Sequence, residues 1–297
     1  MADLYQERSH NVFKTYMLMA VFLIIVIAIG WAVSWYYNSP AILYGAVIFS
    51  VLMNVGSYWF SDKIALSMNG ARPATREEYF DLYTVTENLS ITAGMEMPKL
   101  YVIEDPAPNA FATGRDEKHA VVAATTGLLS LLTRAELEGV IAHELSHIRN
   151  KDMLVMTVAV VLAGFIAIIA DLFLRMSLFG GGDRGDNKSG ALFLVLALVA
   201  AILAPLAAQL IQMAISRRRE FLADSSGALL TRYPEGLASA LQKISGYAQP
   251  MRRANHATAH LFIGNPFGNQ AGKFMNRIFS THPPVEDRVE ALLGKGA

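Results

Sequence analysis

The sequence predicts an α-helical multi-pass membrane protein with a water-facing domain of mixed α+β structure. The 297 residues include 25 Lys plus Arg and 25 Asp plus Glu, yet none of these charges lies in the windows 15–61, 153–170 and 189–216. The rest of the chain is about 25% charged, the ordinary value for a soluble domain. That part also contains the patterns of helices and of short strands.

The charge-free windows predict four membrane spans, because about 20 apolar residues in a helix cross the hydrocarbon core. The first window is long enough for two spans and is divided at Pro40, which cannot continue a helix. We therefore predict spans near 15–35, 41–60, 153–173 and 191–215. The first is expected to stay in the mature chain, because its apolar stretch is longer than that of a cleaved signal peptide.

Basic residues near the spans predict the orientation. Ten Lys and Arg lie on the side that would carry both termini and both large polar segments, and three lie on the other side. Cytoplasmic segments carry the excess of these residues, so this side is expected to be cytoplasmic. The predicted organisation is a transmembrane hairpin (1–61), the first part of the water-facing domain (62–152), a second hairpin (153–215) and the second part of that domain (216–297).

Two capping boxes and three strand patterns define the water-facing domain. Thr75 and Glu78 form the first box and predict a helix that stops at Gly94, and Thr133 and Glu136 form the second box. Short apolar runs bounded by Pro and Gly predict strands at 99–103, 109–113 and 120–124.

Composition excludes several classes of protein. Zero net charge without a Lys/Arg stripe argues against nucleic-acid binding. The absence of Cys excludes disulfides, a thiolate nucleophile and Cys-ligated metal centres.

The second capped helix carries the run His143-Glu144-Leu145-Ser146-His147. Residues four apart on a helix lie about 40° apart on one face, so both imidazoles can bind one metal ion. Glu144 lies beside them and can act on a water that the metal binds. The pattern therefore predicts a metal-dependent hydrolytic site.

A catalytic zinc ion usually has three protein ligands and one open position for water. Glu220 is the candidate for the third ligand, and Asp224, four residues further on, lies on the same helix face. One carboxylate can bind the metal while the other accepts a ring N–H from a metal-binding His. Spacing alone does not decide between this arrangement and a charged helix that balances three Arg.

Taken together, these motifs resemble those of the HtpX family. Its members are heat-shock-induced bacterial membrane zinc proteases and are related to the CAAX prenyl proteases. The resemblance covers essentially the whole chain and rests on residues 108–114, 143–147, 216–224 and 280–284 together with Arg288. It implies a zincin-like catalytic domain with one Zn²⁺ per chain. It also implies that His143, His147 and Glu220 bind this ion and that Glu144 is the catalytic base.

Two further roles follow from the resemblance. In the related enzymes, residues matching Asn109 and His282 contact the substrate or the developing oxyanion, although a turn residue and a loop residue would suit the same positions. The strand at 109–113 is suited to pair with an extended peptide. His282 is the predicted second catalytic residue, as the donor to the oxyanion. The predicted substrate-binding residues are Asn109, Ala110, Phe111 and Ala112. Arg288 is expected to be a structural ion-pair partner.

The expected function is zinc-dependent cleavage of misfolded or damaged membrane proteins, and of some soluble ones, in stress-linked quality control. The expected location is the cytoplasmic face of the bacterial inner membrane, with the lipid bilayer as a partner and no nucleic acid. His147 lies six residues before the third predicted span, which places the metal within about 10 Å of the membrane boundary.

Two alternatives stay open at this point. One is a dedicated CAAX-type processing protease, which would need more spans to enclose a lipidated peptide. The other is a non-enzymatic scaffold or transporter with structural zinc, which an open coordination position disfavours.

Overall fold

The computed structural model describes residues 2–36, 38–179, 201, 217–254, 258–268 and 283–294. His282 and all of the fourth predicted span except residue 201 lie outside these ranges. The chain divides into two compact units. The first consists of Met1–Phe13, Trp59–Thr157 and Ile215–Ala297, and the second of Lys14–Tyr58 and Val158–Ala214.

Three long helices occupy the positions of the first three predicted spans. They are α1 (Ala2–Tyr36), α2 (Pro40–Met68) and α6 (Asp152–Phe179), with apolar stretches long enough to cross a membrane at Ser9–Trp35, Pro40–Met68 and Asp152–Asp171. The break between α1 and α2 falls where Pro40 predicts it. Asn38 turns the chain there with φ 50°, a conformation that Asn tolerates. The second helix runs eight residues beyond its predicted end.

The first unit contains one four-stranded mixed sheet. Its strands are β1 (Arg72–Pro73), β2 (Lys99–Ile103), β3 (Ala110–Thr113) and β4 (Val121–Thr125), in the order β1-β2-β4-β3. The β2/β4 pair is parallel and the other two pairs are antiparallel. The three predicted strands are confirmed to within one residue. Strand β1 was not predicted, because two residues are too short for an alternating pattern.

Six shorter helices in the described part of the first unit pack on one another and, in part, on the sheet to form its core. They are α3 (Phe80–Ala93), α4 (Thr126–Leu131), α5 (Arg134–Arg149), α7 (Arg217–Thr231), α8 (Pro234–Gly246) and α9 (Val285–Leu293), with single 3₁₀ turns at Glu117–His119 and Ala259–Leu261. One apolar cluster joins Val85 of α3, Val122 of β4, Ile141 of α5 and Leu241 of α8. The sheet and α5 therefore share a buried face.

The second capping box is confirmed, and of the first only one half forms, in which Thr75 Oγ1 accepts a hydrogen bond from the N–H of Glu78 at 3.3 Å. Thr133 and Glu136 cap α5 reciprocally, as predicted. Helix α3 instead begins at Phe80, without a side-chain cap. The Glu78 carboxylate is drawn away from the cap by Arg72, whose Nη1 lies 3.0 Å from it. An ion pair with Arg72 of β1 has thus replaced the second half of the box. The predicted stop of α3 at Gly94 is confirmed by its φ of 66°.

A glycine allows α7 to approach the centre of α5. A Cβ built on Gly227 would lie 3.0 Å from the backbone N of His143 and 3.2 Å from the carbonyl carbon of Ala142. A side chain at this position would push the two helices apart. The close approach brings the acidic residues of α7 to the histidine face of α5.

Candidate metal centre and active site

The two histidines of α5 converge inside the first unit. His143 and His147 are both buried, and their Nε2 atoms lie 3.1 Å apart with the ring planes at 90°. The capping box begins the helix so that its apolar residues pack on the core while the imidazoles face α7. Spacing along a single helix therefore sets the histidine pair, as predicted.

Glu220 of α7 completes a three-donor cluster. Its carboxylate oxygens lie 3.8 Å from Nε2 of His143 and 3.6 Å from Nε2 of His147. Two ligands at 2.0–2.1 Å from a tetrahedral zinc ion are about 3.3 Å apart, so the three separations suit one such ion. Within the described part of the chain, this is the group of His and acidic residues whose donor atoms all lie within 4.8 Å of one another.

Asp224 occupies the opposite side of the His143 ring. Its Oδ1 lies 2.9 Å from Nδ1 of His143, although it is off the direction of the ring N–H bond. Arg288 of α9 donates to both oxygens of this carboxylate, at 2.6 and 2.8 Å. Burial alone would raise the pKa of Asp224, but Arg288 and His143 lower it. Glu220 thus faces the Nε2 atoms of both histidines. Asp224 faces Nδ1 of His143, the position from which a carboxylate orients a metal-binding ring.

Asp152 lies at the outer nitrogen of His147, as Asp224 does for His143, and this contact was not predicted from the sequence. Its Oδ2 lies 3.1 Å from Nδ1 of His147, and Nε of Arg219 lies 3.4 Å from its Oδ1. The available signal was an Asp five residues after the second His, at the first position of the next helix. Each histidine therefore has an acidic partner on its outer nitrogen, a common feature of metal-binding His.

The buried charges of the cluster suit a divalent cation. Among the described residues around the histidines, four carboxylates (Glu144, Asp152, Glu220 and Asp224) face two guanidinium groups (Arg219 and Arg288), and all six side chains are buried. Two negative charges are left over. In the absence of a cation, protons compensate for them, because buried charges are costly unless they are balanced. The donor set and the charge balance both fit a bound metal.

The pKa values of the histidines differ because their surroundings differ. Burial would lower the pKa of His147, but its hydrogen bond to Asp152 and the charge of Glu220 raise it to about 9. Burial lowers the pKa of His143, and Asp224 only partly opposes this effect.

Glu144 lies between the histidine face and the edge of the sheet. Burial raises the pKa of its carboxyl group to about 7, and the charge of Glu220 adds to this effect. His147 and the backbone N–H of Ala112, which donates to the carboxylate, act in the other direction. A proton-accepting group is therefore held beside the three-donor cluster by strand β3.

The predicted substrate strand lies at the sheet edge and is partly occupied. The Asn109 side chain donates to the carbonyl of Gly264 (2.9 Å) and accepts from its N–H (3.0 Å). The N–H of Ile263 donates to the carbonyl of Ala110 at 2.9 Å. Residues 262–264 thus cover the first part of the edge. The substrate-binding role of Asn109, Ala110, Phe111 and Ala112 remains a prediction.

Comparisons with known proteins agree with this site. The profile of "Peptidase family M48" matches residues 77–295. A "Protease HtpX homolog" from Caldanaerobacter subterraneus is 48% identical over 295 residues, and one from Thermoanaerobacter pseudethanolicus is 49% identical over 296 residues. Each alignment covers 97% of both chains.

Among solved structures, the chain is similar to the crystal structure of S. mikatae Ste24p, with 18% identity and a TM-score of 0.49. That alignment covers 98% of this chain and 66% of the other.

The profile match spans the histidine pair, Glu144 and Glu220, so the residues that converge in space all lie in the region that family members share. Long apolar helices precede and interrupt this region, as expected of a protein held in a membrane. The match to a peptidase family and to proteases favours an enzyme over the non-enzymatic scaffold or transporter. The chain belongs to the HtpX proteases of peptidase family M48, and it is a membrane metalloprotease that acts on peptides or proteins.

Proposed function

We propose that this metalloprotease is a zinc-dependent endopeptidase in which His143, His147 and Glu220 bind one Zn²⁺. The observation that carries the proposal is the convergence of these three donors beside the buried carboxyl group of Glu144. Two imidazoles and one carboxylate are a donor set of catalytic zinc, whereas Mg²⁺ and Ca²⁺ prefer oxygen ligands alone. The set also leaves one coordination position for water.

Glu144 is the proposed general base and then the general acid. When bound, zinc lowers the pKa of a coordinated water and polarises a peptide carbonyl. Glu144 accepts the proton of the attacking water on a carboxylate oxygen and passes it to the nitrogen of the leaving amine. The N–H of Ala112 holds this carboxylate in place. Asp224 and Asp152 keep the two imidazoles oriented through their Nδ1 atoms.

An extended peptide is proposed to pair with the outer edge of β3. The sheet register directs the backbone groups of Ala110 and Ala112 away from β4. Since Ile263 already occupies the carbonyl of Ala110, we place the substrate at the carbonyl of Ala112 and onward to Gly114. Pairing through the main chain depends little on the side chains of the substrate, which suits a protease with many substrates.

Membrane proteins are the proposed main substrates. His147 contacts Asp152, the first residue of a helix long enough to cross a membrane. Such a site would meet chain segments close to the lipid surface. The proposed role is removal of misfolded or damaged membrane proteins under stress, on the cytoplasmic side that the Lys/Arg distribution predicts.

The central test compares Glu144→Gln with the wild type as full-length protein in detergent or nanodiscs. Glu144→Gln should still bind one zinc by elemental analysis, while cleavage of casein and of a membrane substrate falls about 10²- to 10⁴-fold, the contribution of general acid–base catalysis. Glu138→Gln, on the same helix, is the matched control, since this half-exposed side chain pairs only weakly with Arg134 at 3.6 Å. Wild-type rates for Glu144→Gln would disprove its role, and wild-type protein without zinc would disprove the metal assignment.

Orientation and substrate range need separate experiments. The chain has no Cys, so a single Leu229→Cys substitution at an exposed position gives a unique label site. An impermeant thiol reagent should reach it only after the cells are opened, and labelling of intact spheroplasts would reverse the proposed orientation. Mass spectrometry of products should show many cleavage sites that are absent with Glu144→Gln. A single site would favour dedicated processing instead.

A further inference from the structure

The N-terminal helix contributes one buried side chain to the surroundings of the metal centre. Asn11 of α1 is 0% exposed. Its Nδ2 donates to Oδ1 of Asp152 at 2.6 Å and to the carbonyl of Asn150 at 3.0 Å. Its Oδ1 accepts a hydrogen bond from Nη1 of Arg219 at 3.0 Å. One amide therefore contacts the end of α5, the start of α6 and the start of α7.

The chemistry of these partners calls for an amide. The Asp152 carboxylate and the Asn150 carbonyl only accept hydrogen bonds, whereas the Arg219 guanidinium only donates them. An amide offers two N–H donors on one side and an acceptor on the other. An apolar side chain offers neither, and a carboxylate would lack the donors and add a charge beside Asp152.

Two of the three elements that Asn11 contacts, α6 and α7, lead directly to metal-binding residues through Asp152 and Arg219. Asp152 contacts Asn11 through Oδ1 and His147 through Oδ2. Arg219 also approaches Asp152 (3.4 Å), and it immediately precedes Glu220. The contacts thus fix both the carboxylate that orients His147 and the first turn of α7 that carries Glu220.

We propose that Asn11 is a positioning residue of the metal centre, which makes the N-terminal helix part of the catalytic apparatus. Asn11 holds Asp152 so that its free oxygen meets Nδ1 of His147, and it holds Arg219 so that Glu220 faces the two histidines. This inference rests on the proposed metal-binding role of His143, His147 and Glu220. The expected consequence of removing the amide is weaker metal binding by a protein that is otherwise folded.

The test measures binding of Zn²⁺ and of Co²⁺ to the full-length protein, by competition with a chelator. Substitution of residues that orient metal-binding His typically weakens metal binding 10- to 100-fold. Asn11 acts one contact further away, so Asn11→Ala should weaken it about tenfold. The absorption bands of bound Co²⁺ should also shift, because they report the geometry of the ligands.

Asn69→Ala is the matched control. Asn69 is also buried (1% exposed) in the same unit, and its amide makes two hydrogen bonds, to the carbonyl of Ala65 (2.8 Å) and with Thr258 (3.2 Å). These bonds lead to no metal-binding residue. Asn69→Ala should lower the unfolding temperature of the metal-free protein, yet leave metal affinity and the Co²⁺ spectrum unchanged.

A double-mutant cycle tests whether Asn11 acts through Asp152. In an Asp152→Ala background, Asn11→Ala should weaken metal binding by clearly less than the tenfold lost in the wild-type background, and the loss that remains measures the route through Arg219 and Glu220. If Asn11→Ala does not fold, Asn11→Ser replaces it, since a Ser side chain is too short to reach these partners, and the same tenfold loss is expected.

The outcomes separate this inference from the proposed function. Wild-type protein that binds no metal contradicts the metal site itself. Wild-type protein that binds metal, with unchanged affinity in Asn11→Ala or Asn11→Ser, overturns the role of Asn11 alone. A full additional tenfold loss in the Asp152→Ala background would overturn the route through Asp152, and a loss in Asn69→Ala equal to that in Asn11→Ala would reduce Asn11 to a general contribution to folding.

Discussion

The ion pair between Arg288 and Asp224 is expected to contribute strongly to both stability and metal binding. Arg288 is 1% exposed and donates two hydrogen bonds to Asp224, at 2.6 and 2.8 Å. Its Nη1 is also 3.9 Å from Glu220. Substituting Arg288→Met keeps much of the side-chain volume but removes the guanidinium group, so Asp224 becomes a buried carboxylate without its main partner.

The size of the effect follows from this burial. Removing one partner of a buried ion pair costs about 3–5 kcal/mol, a large part of the roughly 5–15 kcal/mol that keeps a domain folded. At about 2–4 °C per kcal/mol for a domain of this size, the metal-free protein should unfold about 10 °C lower. The assay is thermal unfolding of the full-length protein in detergent, followed by circular dichroism.

Metal binding should weaken together with stability. Asp224 would no longer be held against Nδ1 of His143, and loss of such a contact typically weakens metal binding 10- to 100-fold. Combining Arg288→Met with Asp224→Asn removes the uncompensated charge. The double variant should therefore regain most of the lost stability.

Arg134→Met is the control for this experiment. Arg134 donates to Asp81 at 2.7 Å, but both side chains are largely exposed, so its loss should cost less than about 1 kcal/mol. If Arg288→Met unfolds within about 2 °C of the wild type, a range typical of a surface substitution, the argument from burial is refuted. The same holds if the double variant is less stable than Arg288→Met.

Two further predictions test the packing and the pH dependence of the first unit. Gly227→Ala brings a Cβ to 3.0 Å from the backbone N of His143, so it should weaken zinc binding several-fold by separating α7 from α5, whereas Gly246→Ala, with open space around it, should bind zinc normally. Equal zinc affinity of the two variants would contradict the close-approach argument. For Glu136, burial is outweighed by bonds from Lys243 and its other partners, which lower its pKa to about 2. Its contribution of at most about 3 kcal/mol is complete above pH 4.5 and is lost as the pH falls toward 2. The stability difference between wild type and Glu136→Gln should shrink over that window in denaturant unfolding, and a constant difference would disprove it.

Features that depend on neighbours in the chain could be predicted from the sequence. The apolar stretches of the first three spans, the cap of α5 and the pairing of His143 with His147 all follow from hydropathy or from helical spacing. Each requires only local backbone geometry, which the residues themselves determine. The incomplete first capping box shows the limit of this reasoning, because Arg72 of β1 binds the Glu78 carboxylate.

Features that depend on residues far apart in the chain required the tertiary structure. Spacing alone left Glu220 undecided between a metal ligand and a member of a charged helix, and the resemblance assigned it to the metal. The packing of α7 against α5 directs Glu220 to the converging nitrogens and Asp224 to the outer one. The contact from Asn11 to Asp152 spans 141 residues. No local sequence pattern predicts such a contact, because two side chains that meet only after folding need not stand at any particular spacing in the sequence. The chain thus determined by itself that a metal could be bound, and the fold decided which groups hold the ligands in place.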